Sequence, residues 1–230
     1  MKYLNFILGF LLLSLGCISN KQYSKPGKSP LKIVVIGSST AYGTGPKTID
    51  SAWVNVLRKY EKNVNVKNEV INIAKGGYTT YHLLPNDFHT LSERPKPDTL
   101  RNITKALSFN PDIVIINLPS NDAAYGYSVE EQMTNFSIMS DKCIDRKIKV
   151  LICSAQPRNF NRDKIVKQIK LNAELYKKYK SYIVDFWSEL SNQDGTINPK
   201  YSSGDGVHLN GKGHKILVER IVKKLHSLGL

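Results

Sequence analysis

From residue 31 onward, short apolar runs alternate with segments of helical spacing, and this alternation constrains the fold more than any other feature. "LKIVVIG" (31–37), "NEVINIA" (68–74), "DIVIINLP" (112–119), "IKVLICSA" (148–155) and "YIVDFW" (182–187) read as strands, the first a continuous apolar run as burial on both faces requires. Asp50 and Ser51 can cap a helix in which Trp53, Leu57 and Tyr60 share a face. Leu100, Ile103 and Leu107 mark a helix over 98–109. Ser128 and Glu131 form a capping box that opens a helix reaching about Arg146. A lysine-rich helix covers 161–178, and Leu217, Ile221, Leu225 and Leu228 form the stripe of a last helix over 211–228. The pattern predicts an α/β fold, a parallel sheet of about five strands with helices on both faces, in one domain over 31–230.

The chain has 230 residues and 41% hydrophobic residues, enough for one domain with a real core. Its net charge of +14 suits anionic surroundings. The lysines are spread along the chain and no nucleic-acid-binding motif accompanies them, so a nucleic-acid partner is not expected.

The N-terminus, "MKYLNFILGFLLLSLGC", places one lysine before an apolar run from Leu4 to Leu15. That length fits a secretory signal better than a membrane span. The run ends in Ser14-Leu15-Gly16-Cys17, which resembles the lipobox of bacterial lipoproteins, with Ser14 in place of the usual leucine. Residues 1–17 then read as a signal peptide with Cys17 the lipidation site. Residues 18–30, "ISNKQYSKPGKSP", read as a tether. The expectation is export across the inner membrane and a lipid anchor in the bacterial envelope. "CISNKQYS" lacks acidic residues after the cysteine, which leans toward the periplasmic face. Cys143 falls in a helix and Cys153 at the end of the following strand, too far apart for a disulfide, and both are expected as buried thiols.

In parallel sheets of this kind ligands bind beyond the carboxyl ends of the strands. The loop after the first strand is "GSSTAYGTG" (37–45). A serine on such a turn suits a nucleophile, whereas the run of hydroxyls also resembles a flavodoxin phosphate loop. "KGGYTT" (75–80) follows the second strand, and a glycine there can present its N–H to a ligand. "PSND" (119–122) follows the third, where Asn121 can turn its amide to a developing oxyanion or merely cap a helix. Near the end, "DGVHLNGKGH" (205–214) puts Asp205 three residues before His208. The carboxylate can accept from Nδ1 and leave Nε2 as a base toward a serine. His214 has no partner nearby in sequence and is expected half-exposed on the last helix. His82, His89 and His226 have no motif context. No His/Cys cluster suggests a metal, and no cofactor is expected.

With Ser39, Gly77, Asn121 and His208 in this order, and Asp205 before the histidine, the chain resembles the SGNH (GDSL) hydrolase family over most of 31–215. The resemblance implies a flavodoxin-like α/β/α sandwich and ester hydrolysis through a serine acyl-enzyme. It assigns Ser39 as nucleophile and His208 as base oriented by Asp205. The oxyanion hole would be made by Ser39, Gly77 and Asn121. Ser38 stands where the family has aspartate, Pro119 where it has glycine, and Ala74 and Tyr78 where many members have Gly and Asp. These departures leave the substrate open. Tyr42, Tyr78, Tyr125 and Tyr127 lie in or beside the loops, and Tyr78 and Tyr125 are the candidates for stacking on a sugar ring. A carbohydrate O-acetyl esterase is the first expectation. The alternatives are a lysophospholipase or thioesterase, or a catalytically silent glycan-binding lipoprotein on the same fold.

Overall fold

The computed structural model describes residues 29–90, 93–118 and 120–230. The signal segment, Cys17, nearly all of the tether and Pro119 lie outside the described residues. Five parallel strands form one sheet: β1 (Lys32–Gly37), β2 (Glu69–Asn72), β3 (Ile113–Asn117), β4 (Lys149–Cys153) and β5 (Ile183–Val184). Their order is β2-β1-β3-β4-β5. The connection from β1 runs one way to β2, and the chain then returns past β1 to β3. The crevice between β1 and β3 is therefore the switch point at which such sheets bind ligands.

Helices cover both faces, giving a three-layer α/β/α sandwich. Ile33, Val35, Ile113, Ile115 and Leu151 point to one side, against Trp53 and Leu57 of α2 (Trp53–Val64) and Leu217, Ile221 and Leu225 of α7 (Gly211–Ser227). Val34, Ile36, Val114, Ile116 and Ile152 point to the other. There they meet Ile103 of α3 (Ile103–Leu107), Phe136 and Met139 of α5 (Val129–Ile144), and Leu171 and Leu175 of α6 (Arg162–Tyr179). Successive strand residues thus feed two cores, which is why the runs are apolar at every position. Cys143 and Cys153 are buried free thiols.

Several elements differ from the sequence reading. β1 reaches the end of its apolar run at Gly37, whereas β2 to β5 stop short of theirs, whose last residues leave the ladder for the following loops. The helix expected over 98–109 starts only at Ile103, because Asn102 accepts from Lys105 N–H and so caps it, and Leu100 stays exposed. Asp50 and Ser51 do not cap α2 but lie in a 3-10 turn (Ile49–Ser51). The Ser128–Glu131 capping box is present as read.

Candidate active site

Ser39 opens a four-residue helix, α1 (Ser39–Tyr42), directly after β1. Ser38 N–H donates to the Asn117 carbonyl at 3.0 Å, which ties the ends of β1 and β3 together. His208 comes from the loop before α7. Its Nε2 lies 2.9 Å from Ser39 Oγ, and its Nδ1 lies 2.6 Å from Asp205 Oδ2. Three groups separated by 169 and 3 positions in sequence thus form one continuous hydrogen-bonded chain. With Asp205 ionised, Nδ1–H donates to the carboxylate and Nε2 accepts from the serine hydroxyl.

The loop that carries the pair is built to hold it. Asp205 Oδ1 accepts from the N–H groups of Val207 and His208, both at 2.8 Å, and from Ser203 Oγ at 3.0 Å. Partial burial works against the charge on Asp205, but these bonds and that from the His208 ring outweigh it and hold the carboxyl well below the usual carboxylate range. Asp205 therefore stays an acceptor across the working range of an esterase. Gly45 fits the loop closely. Its φ is +117°, and a Cβ there would meet the Leu209 carbonyl oxygen at 2.1 Å and His208 Cβ at 3.1 Å.

The Gly76–Gly77 turn runs beside Ser39, with the position of a Gly76 Cβ 4.0 Å from Ser39 Cβ. Gly77 takes a φ of +82°. The N–H groups of Ser39 and Gly77 donate to no acceptor among the described residues. Asn121, at the start of α4 (Asn121–Ala124), points its amide between the two loops. Its Nδ2 donates to Ser38 Oγ at 2.8 Å and to the Tyr78 carbonyl at 2.9 Å. Asp122 is buried and accepts from Thr80 N–H at 3.1 Å and from Thr80 Oγ1 at 2.6 Å, locking the second loop to the third. Burial pushes its carboxyl up to about 6, although the Thr80 bonds oppose the rise.

Tyr78 and His214 are placed otherwise than the sequence suggests, whereas Tyr125 is exposed. Tyr78 offers no face to a ligand. It is buried, its hydroxyl donates to Asp98, and its ring stacks on His82 at 4.5 Å with 6° between planes. Tyr125 is 66% exposed and lies on Tyr127. His214 is not half-exposed but fully buried. Its Nδ1 accepts from Trp53 N–H at 3.1 Å, so it caps α2 from the side of α7. Burial lowers its pKa to about 4, with the Thr44 carbonyl opposing, and it stays neutral.

Two further residues were not singled out from the sequence. Gln156, buried after β4, accepts from Thr40 Oγ1 at 2.7 Å and donates to the Val207 carbonyl at 3.0 Å. It bridges the serine helix and the histidine loop. Arg158 Nη1 lies 3.5 Å from Asn121 Oδ1. Both follow β4, in "SAQPRN", which carries no pattern that marks them.

A hydroxyl hydrogen-bonded to a carboxylate-oriented imidazole, beside unengaged backbone N–H groups, is an arrangement for acyl transfer. The model of the GDSL-like lipase/acylhydrolase family matches residues 35–216. The chain belongs to this family. This GDSL-like protein is an ester hydrolase. Its fold is shared with an acylhydrolase-described protein from Bacteroides fragilis, 23% identical, TM-score 0.65, covering 90% of this chain and 92% of that one. A GDSL-like lipase from Bacteroides thetaiotaomicron is 21% identical, with a TM-score of 0.65 and coverage of 89% and 92%. An acetyl xylan esterase is 19% identical, with a TM-score of 0.62 and coverage of 84% and 98%. No curated protein matches the chain.

Proposed function

We propose that this GDSL-like hydrolase is a carbohydrate O-acetyl esterase that works through an acyl-enzyme on Ser39. The observation that carries the reading is the unbroken chain Asp205–His208–Ser39 at 2.6 and 2.9 Å. Ser39 Oγ attacks the ester carbonyl as its proton passes to His208 Nε2, and Asp205 stabilises the imidazolium. The N–H groups of Ser39 and Gly77 and the Asn121 amide receive the oxyanion. Collapse breaks the bond to the alcohol, which takes the proton from Nε2. Water, deprotonated by His208, then releases the acetate and restores Ser39.

Tyr125 supports the sugar assignment, since it offers an exposed ring next to Asn121. The similar fold of an acetyl xylan esterase points the same way. Acetate released from a panel of acetylated polysaccharides tests the reading. Cleavage of lysophospholipids or thioesters alone would replace it with a lipolytic function, and hydrolysis of no ester would leave a glycan-binding protein.

The leader sequence supports export and a lipid anchor at Cys17, with the domain on the periplasmic side of the envelope. Mass spectrometry of the membrane fraction should find Cys17 acylated as the first residue. A soluble protein with another N-terminus would refute the anchor.

A further inference from the structure

Arg158 stands at the rim of the Ser39 site without a carboxylate partner of the kind that Arg94 and Arg220 have. Arg94 pairs with Glu131 at 2.9 Å and Arg220 with Asp185 at 3.3 Å. Among the described residues no carboxylate lies within ion-pair distance of Arg158. Its guanidinium sits 4.7 Å over the Phe160 ring, and its polar contact is the 3.5 Å approach to Asn121 Oδ1. A half-buried guanidinium has five N–H donors in a planar fork, and here most of the fork is unspent. Burial lowers its pKa somewhat while the negative charge of Asp205 opposes the loss, so the cation persists.

The backbone fixes which side of the ester this fork serves. Asn159 N–H donates to the Gly206 carbonyl at 2.9 Å, and Gln156 donates to the Val207 carbonyl. The Arg158 loop is therefore strapped to the loop of Asp205 and His208. In the reaction proposed above, His208 protonates the departing alcohol, so the alcohol leaves on this side. The exposed Tyr125 ring stands one turn of α4 beyond Asn121, the residue that Arg158 approaches, its N–H donating to the Asn121 carbonyl at 2.9 Å.

We propose that Arg158 is a specificity residue that binds a carboxylate on the alcohol half of the substrate, so that the preferred ester is an O-acetylated acidic saccharide. The proposal rests on the esterase reading of Ser39 and His208. A planar fork matches a carboxylate through two parallel hydrogen bonds, and a charge-assisted pair in a partly dry site is strong enough to select. The basic character of the chain, +14 overall, favours the same class of polymer as a partner.

The test compares three acetylated methyl glycosides: the glucuronate, its C6 methyl ester and the glucose 6-phosphate. Wild-type kcat/KM should favour the glucuronate over its methyl ester by at least about tenfold. Arg158→Gln should bring that ratio close to one, and Arg158→Lys should restore part of it. An arginine that only steadied Asn121 would slow both esters equally and leave the ratio unchanged, which would overturn the proposal. So would a wild-type ratio near one. Faster cleavage of the phosphate than of the glucuronate would overturn the carboxylate assignment. Cleavage of none of the three beside activity on 4-nitrophenyl acetate would refute the carbohydrate reading itself, and this inference with it.

Discussion

Asn121 spends both hydrogens of its amide within the protein: Nδ2 donates to Ser38 Oγ at 2.8 Å and to the Tyr78 carbonyl at 2.9 Å. To donate to an oxyanion it must release one of them, and the Ser38 hydroxyl, a weaker acceptor than a peptide carbonyl, is the weaker hold. Asn121→Ala should then lower kcat by about 10²–10³, the usual loss for one oxyanion donor. Ser38→Ala should keep kcat within about tenfold of wild type, because it deletes a competing acceptor and no reacting group. Steady-state kinetics on one small ester checks both. A dead Ser38→Ala beside an active Ser39→Ala would shift the nucleophile by one residue.

Gln156 should matter more than its distance from the chemistry suggests. Its removal leaves the Thr40 hydroxyl and the Val207 carbonyl without their buried partner, at about 1–3 kcal/mol for each unsatisfied group. Gln156→Ala should lower the unfolding midpoint, and it should lower kcat with little change in KM, since the Ser39–His208 contact is loosened and no substrate contact is lost. Urea unfolding and kinetics on the same preparation separate the two effects. A change in KM alone would place Gln156 in substrate binding instead.

Two buried groups pull stability in opposite directions with pH. Asp122 rises from an ordinary 3.8 to about 6 because it is buried. The native state then holds a proton that the unfolded chain has lost, and stability falls as pH rises from about 4 to 6. His214 falls from 6.5 to about 4, also through burial. Here the unfolded chain binds the extra proton, so stability is full above about 6.5 and is lost as pH falls toward 4. Each shift corresponds to roughly 3 kcal/mol. Asp122→Asn removes the first slope only. Its stability relative to wild type should therefore improve as pH rises from 4 to 6, measured by urea midpoints at three pH values. A constant difference would mean that Asp122 is charged throughout.

His214→Ala should leave the active site working. It removes the acceptor for Trp53 N–H and opens a cavity between α2 and α7, at about 2–4 kcal/mol. The melting temperature should drop by several degrees while kcat of the folded enzyme stays near wild type. Loss of kcat without loss of stability would give His214 a part in catalysis.

The sheet was legible because its strands feed two cores at once, so that each reads as an apolar run, and because capping residues such as Ser128 mark a helix start by local chemistry. Leu100 misled, since helical spacing says nothing about where Asn102 will cap. The pair Asp205 and His208 was legible from a spacing of three, and the structure brings Ser39 to it. Gln156 and Arg158 were not, because a polar residue after a strand acquires its role only from what the fold sets opposite it. Tyr78 and His214 were misjudged for the same reason: burial of a polar ring depends on partners, Asp98 and Trp53 N–H, that lie 20 and 161 positions away.

The central claim is that Ser39 is the nucleophile activated by His208, and covalent trapping tests it most directly. The enzyme treated with a phosphonate ester should gain one adduct by intact mass. Fragmentation of the peptide spanning 33–47 should place it on Ser39 and not on Ser38 or Thr40. His208→Ala should label slower by several orders of magnitude. An adduct on another residue, or equal labelling without His208, would contradict the account.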